Sequence, residues 1–368
     1  MAGFPFMRQA EAFRSSLPFI LLLAVFILPC PMSAAAKPRP AIAFVHLLLP
    51  PGGEPHASPA GWIGSLDRAR DTLESLRIPT IVSSASPGNA EDLNELSEMD
   101  PEVLITTSPL LYAAACDVAK RSPNTVFFAC TDETVHDNMS GFQARTYEAH
   151  YLAGLIAGAL SEDGVIGYLA NDPYQSKASR LRNANAFTLG AQKSKAAIRV
   201  LYAPGNDPDE ELKTLIAAGA DIVDLERALP SLVERLREHS VRYVGTAGRT
   251  VDPLCLAAPE WEWSNAFGDL LTQVRFGIWR PRNVSYGIKE GVVGLSPFGP
   301  AVPETVRVRV REAKEAIRNG ASPFEGPVRD VSGSLRIAEG SVPDDATLRG
   351  MDLRVQGLEP LPLTPDGL

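Results

Sequence analysis

Apolar and polar positions along this chain switch between two periods. Residues 41–49 (AIAFVHLLL) form an almost unbroken apolar run, as in a strand buried on both faces. Residues 62–76 carry Ile63, Leu66, Leu73 and Leu76 at roughly helical spacing and predict an amphipathic helix. Short apolar runs at 79–83, 103–106 and 125–129 read as further strands, with a helix over 110–120. Strands alternating with helices in this way predict βαβ units and a parallel sheet covered on both faces.

A second series opens with the segment YEAHYLAGLIAGAL, which starts at Tyr147. Gly154, Ala157 and Gly158 recur at helical spacing, so another backbone can approach that face closely. Tyr147, Tyr151, Leu155 and Ile156 form a bulky stripe beside it. The apolar run falls short of the roughly 20 residues a bilayer needs. Strands are predicted at 165–169, 198–202, 221–225 and 241–245, with helices over 177–192, 208–218 and 230–239. The fold class expected is therefore α/β, with two doubly wound parallel sheets forming two lobes around a cleft. The first lobe is expected at 37–150 plus about 250–282, and the second at 151–249 plus about 283–340. The Pro/Gly-rich LSPFGPAVP (residues 295–303) reads as a passage between lobes. It leads into a charged helix over 304–319 ended by Gly320. Residues 341–368 are polar and Pro-rich and are expected as a surface tail.

The N-terminus is a separate object. Arg8 and Arg14 precede an apolar run from 17 to 28, and Ser33, Ala34, Ala35 and Ala36 lead into Lys37. This is the layout of a secretory signal peptide at 1–36, cleaved near Ala36 into the periplasm. The alternative is a lipid anchor at Cys30, although lipoprotein signals place a small residue before that Cys and Pro29 stands here. Cys116, Cys130 and Cys255 remain after cleavage. One disulfide with one free thiol, or three buried thiols, both fit an exported chain.

Composition narrows the function. The chain has 368 residues, 45% hydrophobic and 21% charged, with a formal net charge of −9. That is room for about two domains, without the basic stripe of a nucleic-acid binder. No GxSxG elbow, phosphate-binding loop or HExxH motif is present, and the five histidines lack ligand spacing. No catalytic residue, metal site or cofactor is expected, and the chain is not read as an enzyme.

The candidate binding residues lie after strands. Trp62 follows a Pro/Gly-rich loop after the first strand, where α/β sheets place ligands, and an indole there can stack on a flat molecule or cover the core. Thr107 and Ser108 end another strand, where their hydroxyls can meet a ligand or cap the next helix. Asn171, Asp172 and Tyr174 follow the strand at 165–169, on the same presumed cleft. In PEWEW, Trp261 and Trp263 share one face of an extended segment while Glu260 and Glu262 share the other, which suits an aromatic wall.

FQARTYEAHYLAGLIAGAL, GVIGYLAND with NANAFTLGAQ, and NDPDEELKTLIAAGADIV occur in order, followed by LAAPEWEWSNAF, EGVVGLSPFGPAVPETV and GPVRDVSGSLRI. Over about residues 101–337 this set resembles the basic membrane protein (BMP) family of extracytoplasmic solute-binding proteins, the purine nucleoside receptor A-like proteins. Before Pro101 the match is mainly Gly61–Trp62 and Asp67. The resemblance implies a type I periplasmic-binding fold, two α/β lobes joined by three hinge crossings. It implies delivery of a purine- or nucleoside-like ligand to an ABC-type permease. A ligand-sensing receptor acting through a membrane signalling partner is the alternative. Trp62 matches the aromatic that stacks on the base, and Trp261 stands where relatives carry Lys or, in a subgroup, Trp. Tyr147 and Asn206 join the implied ligand-binding set. The pattern departs at Pro59, where relatives often carry an acid, and at Gly205 and Asn206, where an aromatic is missing. It departs again at Arg249, where relatives place an Asp on the ribose. An Arg there favours a carboxylate, phosphate or carbonyl-rich ring.

Overall fold

The computed structural model describes residues 39–48, 61–86, 89–131, 133, 136–172, 175–245 and 252–362. The signal-peptide and Cys30 expectations lie outside these residues.

The first series runs β1 (Ile42–Leu47), α1 (Trp62–Ser75), β2 (Thr80–Ala85), α2 (Glu91–Ser97), β3 (Val103–Thr106), α3 (Tyr112–Ala119), β4 (Val126–Cys130) and β5 (Met139–Ala144). Then α4 (Thr146–Leu160) leads into β6 (Val165–Leu169), α5 (Lys177–Ser194), β7 (Arg199–Ala203), α6 (Pro208–Ala217), β8 (Ile222–Leu225), α7 (Pro230–Glu238) and β9 (Arg242–Gly245). The last third contains β10 (Cys255–Ala257), β11 (Pro259–Trp261), α8 (Ser264–Arg275), β12 (Val284–Tyr286) and β13 (Val293–Leu295). It ends with α9 (Glu304–Arg318), β14 (Val328–Arg329), β15 (Leu335–Ile337), α10 (Asp345–Arg349) and β16 (Leu358–Pro360).

Two parallel sheets result. One has the order β2-β1-β3-β4-β5-β12, the other β16-β7-β6-β8-β9-β10. In each, the first strand of the series has the second on one side and the third on the other, so the order reverses there. Ligands of such sheets bind beyond the carboxyl ends of those two strands. The chain passes between the sheets three times, from β5 to β6, from β10 to β12 and from β12 to β16. β11 and β13, on the latter two passages, pair antiparallel. This is the two-lobed, hinged α/β architecture that the resemblance implies.

Helix α4 is buried nearly all round, as a helix at the centre of a domain must be. Its small face meets α5. A Cβ built on Gly154 would stand 2.0 Å from the Phe187 carbonyl oxygen, and one on Gly158 2.2 Å from that of Ala191. Gly190 on α5 is equally confined, 2.1 Å from the Tyr151 carbonyl oxygen.

The structure moves three expected boundaries. β10 pairs with β9 in the second sheet, so the return to the first lobe begins after Ala257 rather than near 250. β12 is the edge strand of the first sheet, which therefore extends beyond 282. The segment from 341 is not merely a surface tail. Met351, Val355 and Leu358 are buried, and β16 adds to β7 as an outer strand. Its apolar residues are too sparse to read as a strand, yet Leu358 lies in β16 at the edge of the second sheet, and Met351 packs with Tyr147, Ala186 and Phe324. β5 (MSGFQA) and the short α2 also went unpredicted, since neither carries a sustained period. Residues 295–303 run from the end of β13 to α9, within the stretch between β12 of the first sheet and β16 of the second.

Candidate functional site

A cavity of about 150 Å³ opens where the carboxyl ends of the two sheets face each other. Trp62, Thr107, Pro109, Cys130, Thr131, Gln143 and Ala144 line it from the first lobe, and Thr146 and Trp261 from the crossings. Asp172, Gln175, Ser176, Ser179, Arg182 and Arg349 line it from the second.

The first-lobe wall is aromatic and rigid. Trp62 begins α1, and its indole N–H donates to the Thr107 carbonyl at 2.8 Å. Its ring meets Trp261 edge-to-face at 5.9 Å and Trp263 at 5.2 Å, and lies nearly parallel to Phe142 at 6.4 Å. Trp263 is fully buried and stacks on Phe267. Trp261 donates its N–H to the Thr146 hydroxyl at 3.2 Å. Both cavity-lining indoles thus spend their polar ends inside the protein. What Trp62, only partly buried, offers outward is ring surface, the geometry for stacking.

Other candidates divide between the wall and its supports. Thr107 lines the cavity, but its hydroxyl donates to the Val45 carbonyl at 3.1 Å and lies 3.1 Å from His46 Nδ1. His46 Nε2 reaches Asp67 at 3.2 Å. Ser108 accepts from the Leu110 N–H, so it caps a 3₁₀ turn over Pro109–Leu111 and is not among the lining residues. Asn171 makes two 2.8 Å bonds with the backbone of Arg227 and clamps the loop after β8, leaving the wall to its neighbour Asp172. Asn206 donates its N–H to Glu211 beside the start of α6, away from the lining set. Tyr147 packs on Phe324 and under the Arg182 guanidinium, whose carbon lies 5.6 Å from the ring centre. It stands behind the wall rather than on it. Tyr174 and Arg249 lie outside the described residues.

Besides Asp172, the second-lobe wall carries polar groups that sequence reasoning missed. Ser176 caps α5 by accepting from the Ser179 N–H, which sets the first turns of α5 against the cavity. Gln175 donates to Asp172 at 3.1 Å and accepts from Ser179 and from Asn183. The guanidinium of Arg182 donates to the Leu348 carbonyl at 3.1 Å and the Ser179 hydroxyl at 3.3 Å. The start of α5 follows a β-strand of a doubly wound sheet, and that position was the available signal. Arg349 gave none, because it sits in the segment expected as a tail.

A buried acidic network lies beneath Asp172. Its N–H points to Glu226 at 3.4 Å, and the Tyr168 hydroxyl donates to Glu226 at 2.9 Å. Burial pushes the Glu226 carboxyl up to about 7; Asp172 and Asp224 add to this, while His150 and Tyr168 pull the other way. His150 Nδ1 stands 3.2 Å from Asp224. Burial opposes its charged form, but Asp224, Glu226 and Asp172 outweigh that and raise its pKa. Among the described residues, Cys116, Cys130 and Cys255 are not joined in a disulfide. Among the described residues no cluster of His, Cys, Asp and Glu is arranged to hold a metal ion.

Comparison with known proteins agrees with this geometry. The family model described as "ABC transporter substrate-binding protein PnrA-like" (Bmp) matches residues 66–217. A purine-binding protein of Brucella abortus (strain 2308) is 28% identical over 344 residues, spanning 89% of this chain and 95% of that one. A putative ABC transporter glucose-binding protein of Haloferax volcanii is 28% identical over 307 residues, 77% and 78% of the two chains. An ABC transporter solute-binding protein of Conexibacter woesei, known in three dimensions, superposes with a TM-score of 0.60 at 17% identity. It covers 76% of this chain and 97% of its own, a likeness of fold.

Proposed function

We propose that this chain, a member of the PnrA-like (Bmp) family of ABC-transporter substrate-binding proteins, is the extracytoplasmic receptor for a small planar solute of purine type. The observation that carries the reading is the cavity at the switch points of both sheets, bounded on one side by Trp62 and Trp261. A flat heterocycle stacks on the Trp62 ring while the second lobe supplies hydrogen bonds from α5 and α10. The ligand therefore bridges two lobes that otherwise meet through three crossings. It favours the closed arrangement by as much as it binds that state better than the open one. Closure presents a single surface to a membrane permease, which then takes the solute. The Brucella relative is named for purine binding and supports the ligand class. The Haloferax relative is named for glucose binding, and a pyranose face also stacks on indole, so a sugar is the competing ligand.

The family binds solutes for transport, and no step of turnover is assigned to any residue here. Export follows from residues 1–36, with the mature chain starting near Lys37. Isothermal titration of ligand-stripped protein with purines, nucleosides and glucose tests the reading. Purine binding that Trp62→Ala weakens supports it. Purine binding that Trp62→Ala leaves unchanged, or saturable binding of glucose alone, overturns it.

A further inference from the structure

Behind Trp62 the first-lobe wall closes on itself through three other residues. Strand β1 brings His46 to its carboxyl end, where it is 6% exposed. Its Nδ1 stands 3.1 Å from the hydroxyl of Thr107, just after β3, and its Nε2 3.2 Å from Asp67 on α1. Thr107 is pinned to β1 by its backbone N–H, which donates to the Val45 carbonyl at 3.1 Å. The Thr107 carbonyl in turn accepts the Trp62 indole N–H at 2.8 Å. Trp62 and Asp67 share α1, so the contacts form a closed circuit from Trp62 to Thr107, His46, Asp67 and back along the helix.

Donor and acceptor rules make the imidazole a brace in either protonation state. An ionised carboxylate only accepts, so the Nε2 facing Asp67 carries a proton. In the neutral ring Nδ1 is an acceptor, and the Thr107 hydroxyl has two acceptors in reach, Nδ1 and the Val45 carbonyl, each at 3.1 Å. In the charged ring Nδ1 donates to Thr107 and the hydroxyl keeps Val45. The start of α1 has little local support of its own. Its cap is Gly61, which has no side chain to offer, and its first turn holds no acid. Ile63 and Leu66 bury the helix on the core, but apolar burial has no direction. The hydrogen bonds to Thr107 and His46 therefore set how the indole plane is turned. A plane fixed beforehand spares the ligand the cost of ordering it.

We infer that His46 is a positioning residue for the site. Acting through Thr107 and Asp67, it holds the Trp62 ring in the attitude that stacks on the solute. His46 is not among the described residues that line the cavity. The inference rests on the reading of Trp62 as the stacking platform and deepens it.

The test starts from protein carrying isotope-labelled tryptophan, in which each indole N–H gives its own NMR signal. The Trp62 signal is the one lost in Trp62→Ala. His46→Ala and Asp67→Ala should each shift that signal and speed its exchange with water by about tenfold or more. Asp67→Ala guards against a His46 variant that fails to fold, since the Asp67 side chain is 40% exposed. Asp67→Asn, whose amide oxygen still accepts from Nε2, should keep the parent signal. Calorimetry with adenine, hypoxanthine and adenosine as probes reads the consequence for binding. Asp67→Ala should weaken the probe that binds by roughly 2- to 12-fold, the range of one net hydrogen bond, and by less than Trp62→Ala does. In the Trp62→Ala background it should change affinity by under about 1.5-fold, because the ring it positions is gone. An indole signal unmoved in the folded variants, or an effect of Asp67→Ala on affinity that survives intact without Trp62, overturns the inference and leaves the purine reading standing. Failure of all three probes to bind the parent counts against the purine reading instead, and the indole signal still decides whether His46 holds Trp62.

Discussion

Substituting glycines on two different helices separates close packing from helix propensity. In Gly158→Ala the new methyl would sit 2.2 Å from the Ala191 carbonyl oxygen and 2.6 Å from the Ala191 Cα. Both are backbone atoms of α5, so no side chain can swing aside. Restoring an ordinary contact of about 3.5 Å requires a shift of roughly 1 Å between α4 and α5. Overpacking of this kind costs about 1–3 kcal/mol, and a backbone obstacle puts it at the upper end. Alanine returns about 1 kcal/mol in helix propensity, leaving a net loss of about 2 kcal/mol. Gly268, within α8, has no atom within 4 Å of where its Cβ would stand, so Gly268→Ala keeps the gain, about 0.5–1 kcal/mol. Urea unfolding checks both. With a slope of about 3 kcal/mol/M, the midpoint should fall by about 0.7 M in Gly158→Ala and rise by about 0.2–0.3 M in Gly268→Ala. Because α4 carries Thr146 and α5 carries Arg182, the first variant should also bind ligand more weakly. A Gly158→Ala protein as stable as the parent, or as Gly268→Ala, would refute the close-crossing argument.

Three further outcomes are expected. Trp62→Ala should weaken binding by roughly one to two decades, since base–aromatic stacking is worth about 1–3 kcal/mol; unchanged affinity by calorimetry, with native circular dichroism, would remove Trp62 from the site. Glu226, pushed up to about 7, stays protonated in the folded chain between its ordinary 4.5 and that value while the unfolded chain ionises. The folded state then binds more protons than the unfolded one, so stability falls as pH rises from about 5 to 8, by on the order of 3 kcal/mol from this group. The raised His150 acts in the same sense, its contribution present below 6.5 and lost as pH climbs through its folded value. Urea titrations at pH 5 and 8 should show this loss, and Glu226→Gln should shrink it; an equal loss in the variant would show that Glu226 is not its source. N-terminal sequencing of exported protein should find a start near Lys37, and a lipid-bearing Cys30 would contradict the cleavage expected from Ser33–Ala36.

The period of the sequence announced most of the fold, because a parallel sheet buried on both faces leaves continuous apolar runs such as AIAFV and VIGYL. That another backbone comes close to α4 was legible too, from Gly154 and Gly158 at helical spacing, whereas only the fold identifies that backbone as α5. β5 and β16 were not, because edge and near-edge strands mix glycine, proline and polar residues with few apolar ones. At the site, Trp62 and Trp261 were readable as aromatics next to strand ends. Asn171 was readable as a polar residue at such an end, but whether its amide faces a ligand or the Arg227 backbone is decided by a loop 56 residues away in sequence. Arg182 and Arg349 come together only through folding. One lies on α5 and the other arrives with the last crossing, and no local pattern links them.

The central claim is that a flat purine-type solute occupies the cavity between the lobes. Mass spectrometry of the small molecule released when the exported, unrefolded protein is denatured tests it most directly. Near-stoichiometric recovery of a purine is the predicted result. Recovery of a sugar or another non-aromatic solute in its place would contradict it.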